Sequence, residues 1–126
     1  MLTANLATPK SCSSADKAQD GALTCLSPET TLFNDIMPDE AQEWLSKLKP
    51  QPAEGWNDVI TYGGWKEIPS VYLVCENDQA VPAAFQTMCA QLAGSEIVSC
   101  ESGHMVMLSK PWDVVNLVRR AAGEAF

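Results

Sequence analysis

Asp78 and His104 are the two side chains of this sequence whose types and spacing could do chemistry together. His104, the only histidine, lies in SCESGHMVMLSKP, residues 99–111, and Asp78 lies in VYLVCENDQAVP, residues 71–82. Each comes just after a short apolar run. An aspartate that accepts the Nδ1 proton of a histidine fixes the ring's tautomer and stabilises the imidazolium formed when Nε2 takes a proton from a nucleophile. That chemistry needs a nucleophile, and the chain holds no serine in a G-x-S-x-G context, the strand-to-helix elbow that exposes a serine hydroxyl. Ser102, two positions before His104, is too local to meet its ring in such a geometry.

Positioning these residues requires a sheet. Val71, Tyr72, Leu73, Val74 and Cys75 form an apolar run without alternation, as expected of a strand covered on both faces of a parallel sheet. A helix is predicted over 82–93, with Phe85, Met88, Cys89 and Leu92 on one face, a proline at its start and Gly94 past its end. EIVSC, residues 96–100, reads as a second strand. Strand, helix, strand makes a β-α-β unit with a right-handed crossover, so the two strands should be parallel. Asp78 and His104, 26 residues apart, then both lie beyond the carboxyl ends of those strands, where ligands of parallel sheets gather.

The flanking segments are less regular. Residues 1–30 read as an irregular lead-in rich in Ser, Thr, Ala and Asp. A helix over 38–48 is suggested by Ala41, Trp44, Leu45 and Leu48, with Pro50 and Pro52 stopping it. VITYGGW, residues 59–65, is either a short strand or a connector broken by Gly63 and Gly64. The last helix should run over 111–122, with Ser109 as N-cap, Asp113 near its positive end, Arg119 and Arg120 near its negative end, and Gly123 closing it. Its broad apolar face, Val114, Val115, Leu117, Val118, Ala121 and Ala122, calls for a larger sheet than two strands supply.

Composition narrows the partners. The chain has 126 residues, one domain or part of one, with net charge −8. Nucleic-acid phosphates and anionic membrane surfaces would be repelled, so neither is an expected partner. A small neutral or mildly polar ligand is the better expectation. The five cysteines, Cys12, Cys25, Cys75, Cys89 and Cys100, form no C-x-x-C pair and lack histidines at zinc spacing. They read as free thiols of a reducing compartment, and no cofactor or metal is expected. No apolar stretch has the length of a signal peptide or of a membrane span, which gives a cytoplasmic expectation.

A plainer reading stands beside the catalytic one: Asp78 in a polar turn, ENDQ, residues 76–79, and His104 in a glycine-containing turn before a helix. Cys75 and Cys100, at strand ends, are expected to pack rather than to replace the nucleophile. Trp44, Trp56, Trp65 and Trp112 could line an apolar pocket, though packing is the favoured role for them and for Met105 and Met107.

FNDI, residues 33–36, WKEIPSVYLVCENDQAVP, residues 65–82, and GHMVMLSKP, residues 103–111, resemble the C-terminal portion of α/β-hydrolases, in particular a fungal branch similar to methylesterases and hydroxynitrile lyases. The resemblance implies an α/β fold class: a partial α/β-hydrolase fold in which a helical cap or lid segment, residues 31–60, precedes a β-α-β-α unit with parallel strands in residues 61–126. It implies Asp78 as triad acid and His104 as triad base of a serine hydrolase. The expected substrate is a small-molecule carboxylic ester, in a secondary-metabolic setting. Because the elbow and oxyanion loop of such proteins precede the cap, the chain is expected to be inactive alone and to associate with itself or with a nucleophile-bearing half. The alternative is a non-catalytic truncated fragment or a small-molecule binding module.

Overall fold

The computed structural model describes residues 15–19, 21–54 and 58–123; Cys12 and Trp56 lie outside them. Strands β4 (Val71–Cys75) and β5 (Glu96–Cys100) pair in parallel, in register from Val71 opposite Glu96 to Cys75 opposite Cys100. Helix α3 (Ala83–Ala93) crosses between them and packs on both. It ends at Gly94 in the left-handed conformation, φ 68°, a backbone state that glycine adopts without Cβ strain. The α/β class and the parallel unit expected from the sequence are thus present.

The stretch expected to be an irregular lead-in is corrected within the described residues. Strands β1 (Ala15–Gln19) and β2 (Ala22–Cys25) pair antiparallel, and β3 (Gln51–Pro52) adds to β2. β1, ADKAQ, has no apolar face in the sequence, and β2, ALTC, is too short for the alternation of Leu23 and Cys25 to announce a strand. What does is Asp20-Gly21, a dipeptide favoured in two-residue hairpin turns, with Gly21 at φ 77°. A short helix, α1 (Pro28–Thr31), follows.

Helix α2 (Pro38–Leu45) ends three residues sooner than expected. Pro50 disfavours helical backbone just before it, and Leu48, 39% exposed, gains no burial that would repay a longer helix. Residues 59–65 form no strand. Gly64–Lys66 make one turn of 3-10 helix, and the Trp65 ring lies so close to Gly63 that a Cβ there would meet it at 2.7 Å.

At the C-terminus an unanticipated turn, α4 (Val106–Ser109), precedes α5 (Pro111–Ala121). Ser109 is therefore not the N-cap of the last helix. It ends α4, its hydroxyl is buried without a hydrogen-bond partner, and Lys110 occupies the cap position with no side-chain bond. Asp113 does lie in the first turn and Arg119 and Arg120 in the last, where Arg120 pairs with Glu96 of β5. The apolar face of α5 is only partly covered, with Trp112 and Val118 well exposed. Among the described residues the buried apolar side chains are Phe33, Ala41, Val74, Cys75 and Ala90.

Candidate active site

Parallel pairing continues past the strands into both loops. The Glu76 amide donates to the Cys100 carbonyl and the Asn77 amide to the Ser102 carbonyl, each at 3.0 Å. Asp78 therefore begins one residue, and His104 two residues, beyond the last rung of the same ladder. The sequence supports this local geometry because Asp78 closes an Asx-type turn on itself: its Oδ1 accepts the amides of Ala80 and Val81, both at 2.8 Å.

The other carboxylate oxygen faces the imidazole. His104 Nδ1 lies 2.9 Å from Asp78 Oδ2, and Gln86 Nε2 donates to the same oxygen at 3.0 Å. An oxygen of a carboxylate can only accept here, so Nδ1 carries a proton and Nε2 is the free base of the neutral ring. Among the described residues Nε2 has no hydrogen-bond partner. The Asp78 side chain is 4% exposed and that of His104 32%. A buried, fully hydrogen-bonded acid thus holds a half-exposed ring, on a cleft of ≈ 360 Å³ that Tyr72 and Val81 also line.

Several nearby residues take other roles. Ser102 is fully buried, 0% exposed, with its hydroxyl 3.1 Å from the Cys100 sulfur. Cys25, Cys75, Cys89 and Cys100 are free thiols. Burial pushes the Cys75 thiol above its ordinary range, since the thiolate would be desolvated; the Ser102 hydroxyl acts in the opposite sense. Cys75 should consequently resist iodoacetamide at pH 8 in the folded chain and react once the chain is denatured. A group whose folded pKa is raised contributes its stability below the unfolded value and loses it above. Melting temperature should therefore fall as pH climbs past about 8.5, the unperturbed cysteine value. A Cys75 alkylated as fast in the folded as in the denatured state would contradict this. The packing role expected of the tryptophans does not hold for Trp65 and Trp112, 48% and 74% exposed, and Met107 is likewise exposed. Trp44 carries the Lys47 ammonium over its ring, 4.4 Å from the centroid.

Gln86 has no place in the sequence reading. It is 3% exposed and lies off the apolar face by which α3 is recognised. Its only advance signal is a polar residue in the first turn of the helix that follows the acid loop. Asn34 and Asp35, read as part of a cap segment, contact both loops; nothing in their spacing signals it. Among the described residues no group of three or more His, Cys, Asp or Glu could hold a metal ion, and no helix is long and apolar enough to cross a membrane.

Comparison with known proteins agrees with this architecture. The sequence pattern of the alpha/beta hydrolase family matches residues 7–116. The chain is similar to the alpha/beta hydrolase nvfD of Aspergillus novofumigatus (strain IBT 16806), at 38% identity over 112 residues, covering 85% of this chain and 45% of that protein. It thus spans less than half of that relative's length. No solved structure matches. With the pattern spanning most of the chain and a relative that shares its sequence this closely, the chain belongs to the α/β-hydrolase family.

Proposed function

We propose that this chain supplies the acid and the base of a serine-hydrolase triad acting on a small-molecule carboxylic ester, in a secondary-metabolic setting. The observation that carries the reading is the 2.9 Å contact between Asp78 Oδ2 and His104 Nδ1 at the shared carboxyl edge of two parallel strands. In this reading a serine approaches Nε2, which removes its proton as the hydroxyl attacks the ester carbonyl. Asp78 stabilises the imidazolium without taking the proton. Nε2–H then protonates the departing alkoxide, and the same cycle with water in place of serine releases the acid.

The serine and the oxyanion donors must come from a segment carrying G-x-S-x-G, so the test is complementation. The chain alone should neither bind a fluorophosphonate probe covalently nor turn over p-nitrophenyl acetate. Fused or co-expressed with the elbow-bearing N-terminal portion of an α/β-hydrolase relative, it should label at the elbow serine and hydrolyse the ester. Labelling of a serine within residues 1–126, or ester turnover by the complemented protein that survives loss of His104, would refute the reading. Saturable ester binding without turnover in the complemented protein would make the chain a binding module instead.

A further inference from the structure

We infer that Asn34 and Asp35, in the connection between α1 and α2, are positioning residues that clamp the acid loop to the base loop and so set the Asp78–His104 geometry. The inference rests on the triad reading above and extends it to residues whose hydrogen bonds go to the backbone of the two loops. Asn34 Nδ2 donates to the Asn77 carbonyl at 3.0 Å, one residue before Asp78. Asp35 Oδ2 accepts the amide of Gly103, one residue before His104. Two consecutive side chains thus each hold one of the two loops, and Phe33, 3% exposed, anchors the connection in the core.

Two further observations show that this contact is close and specific. A Cβ on Gly103 would stand 2.4 Å from Asn34 Oδ1, 2.5 Å from Asp35 Oδ1 and 2.8 Å from Asp35 Cγ. The φ of Gly103 is not positive, so no left-handed backbone calls for glycine there; the space taken by Asn34 and Asp35 does. Asp35 Oδ1, meanwhile, is buried without a hydrogen-bond partner. An unsatisfied buried carboxylate oxygen works against stability, so its presence points to a demand on the position other than packing. Acceptance of the Gly103 amide by the partner oxygen meets that demand.

The contact acts on the triad through leverage. The main-chain ladder between the two loops ends at the rung of Asn77 and Ser102, and Asp78 and His104 lie beyond it. Asn34 holds the rung residue Asn77, and Asp35 holds Gly103 one residue past the rung, so the two loops are tied to one connection. Without them the Nδ1–H of His104 would leave Asp78 more often while the sheet itself stayed intact.

The experiment uses the full chain and nuclear magnetic resonance of the His104 Nδ1 proton, which needs no turnover. In the parent, this proton should resonate at low field and exchange slowly with water. Asp35→Ala and Asn34→Ala should each speed its exchange about tenfold, the effect of removing one hydrogen bond with a net contribution near the upper end for such bonds. Asp35→Asn, which keeps a carbonyl acceptor, should restore the parental rate. Gly103→Ala, which displaces both side chains while leaving them chemically unchanged, should mimic their loss. Asn34 is exposed, so its alanine variant stays folded and decides the matter should Asp35→Ala unfold. A parental signal unchanged in Asn34→Ala, whatever the melting temperature, overturns the positioning role and leaves the triad reading standing. A parent chain with no slowly exchanging His104 proton removes the acid–base pair itself, and both fall together.

Discussion

In the protein complemented with an elbow-bearing segment, His104→Ala should lower kcat by about 10⁵- to 10⁶-fold and Asp78→Asn by about 10⁴-fold, with KM little changed in both. The difference between the two follows from the hydrogen bonds on the carboxylate. Oδ1 of Asp78 faces two backbone amides, those of Ala80 and Val81, so an asparagine must put its carbonyl oxygen there. Its amide nitrogen then takes the place of Oδ2, facing Gln86 Nε2 and His104 Nδ1. A donor opposite Nδ1 forces the proton to Nε2, and the ring can no longer act as base toward serine. The fold survives while the tautomer is wrong. Removing the imidazole leaves no base at all, so it costs more. Both effects belong to the transition state, hence to kcat. Steady-state ester hydrolysis checks them, and a loss below tenfold for His104→Ala in a folded, serine-labelled protein would end the triad assignment.

How much of this was legible in the sequence depends on which forces position each residue. Strands β4 and β5 and helix α3 are dictated by local apolar runs and by glycine and proline at their ends, so the sequence expectation and the structure agree at Val71–Cys75 and Glu96–Cys100. From those elements the joint position of Asp78 and His104 follows by topology alone. The hairpin of β1 and β2 is hard to see because β1 carries no apolar face and the alternation of Leu23 and Cys25 in β2 is too short to count as a period; Asp20-Gly21 is the clearer mark. Ser109 does not cap the last helix because an extra turn, α4, intervenes between the histidine loop and that helix, and a four-residue turn leaves too little periodicity to see. Asn34, Asp35 and Gln86 escaped for a different reason. Their roles come from contacts across 43, 68 and 8 residues of chain with backbone groups or a carboxylate, and no spacing rule connects a side chain to a distant carbonyl. The resemblance located FNDI as shared residues without saying what they hold.

Gln86→Leu should destabilise the chain by about 2–4 kcal/mol, the cost of leaving the buried Cys75 amide without its acceptor and the Val81 carbonyl without its donor. Because the Glu76 amide faces β5, the amide and carbonyl of Cys75 face the opposite edge of β4. Gln86 meets them there as a neighbouring strand would: its Oε1 accepts the Cys75 amide at 3.0 Å, and its Nε2 reaches the Cys75 carbonyl at 3.3 Å. The same nitrogen donates to the Val81 carbonyl at 2.7 Å and to Asp78 Oδ2 at 3.0 Å, so one amide ties the strand end, the acid loop and the acid itself together. Leucine fills a similar volume and repays none of these bonds. Gln91→Leu provides the comparison, since Gln91 lies exposed on the same helix and its replacement should cost less than about 0.5 kcal/mol. Denaturant midpoints of the two variants decide the question. Equal shifts would mean that the Gln86 amide only fills space, and that Asp78 is held by the Ala80 and Val81 amides and by His104.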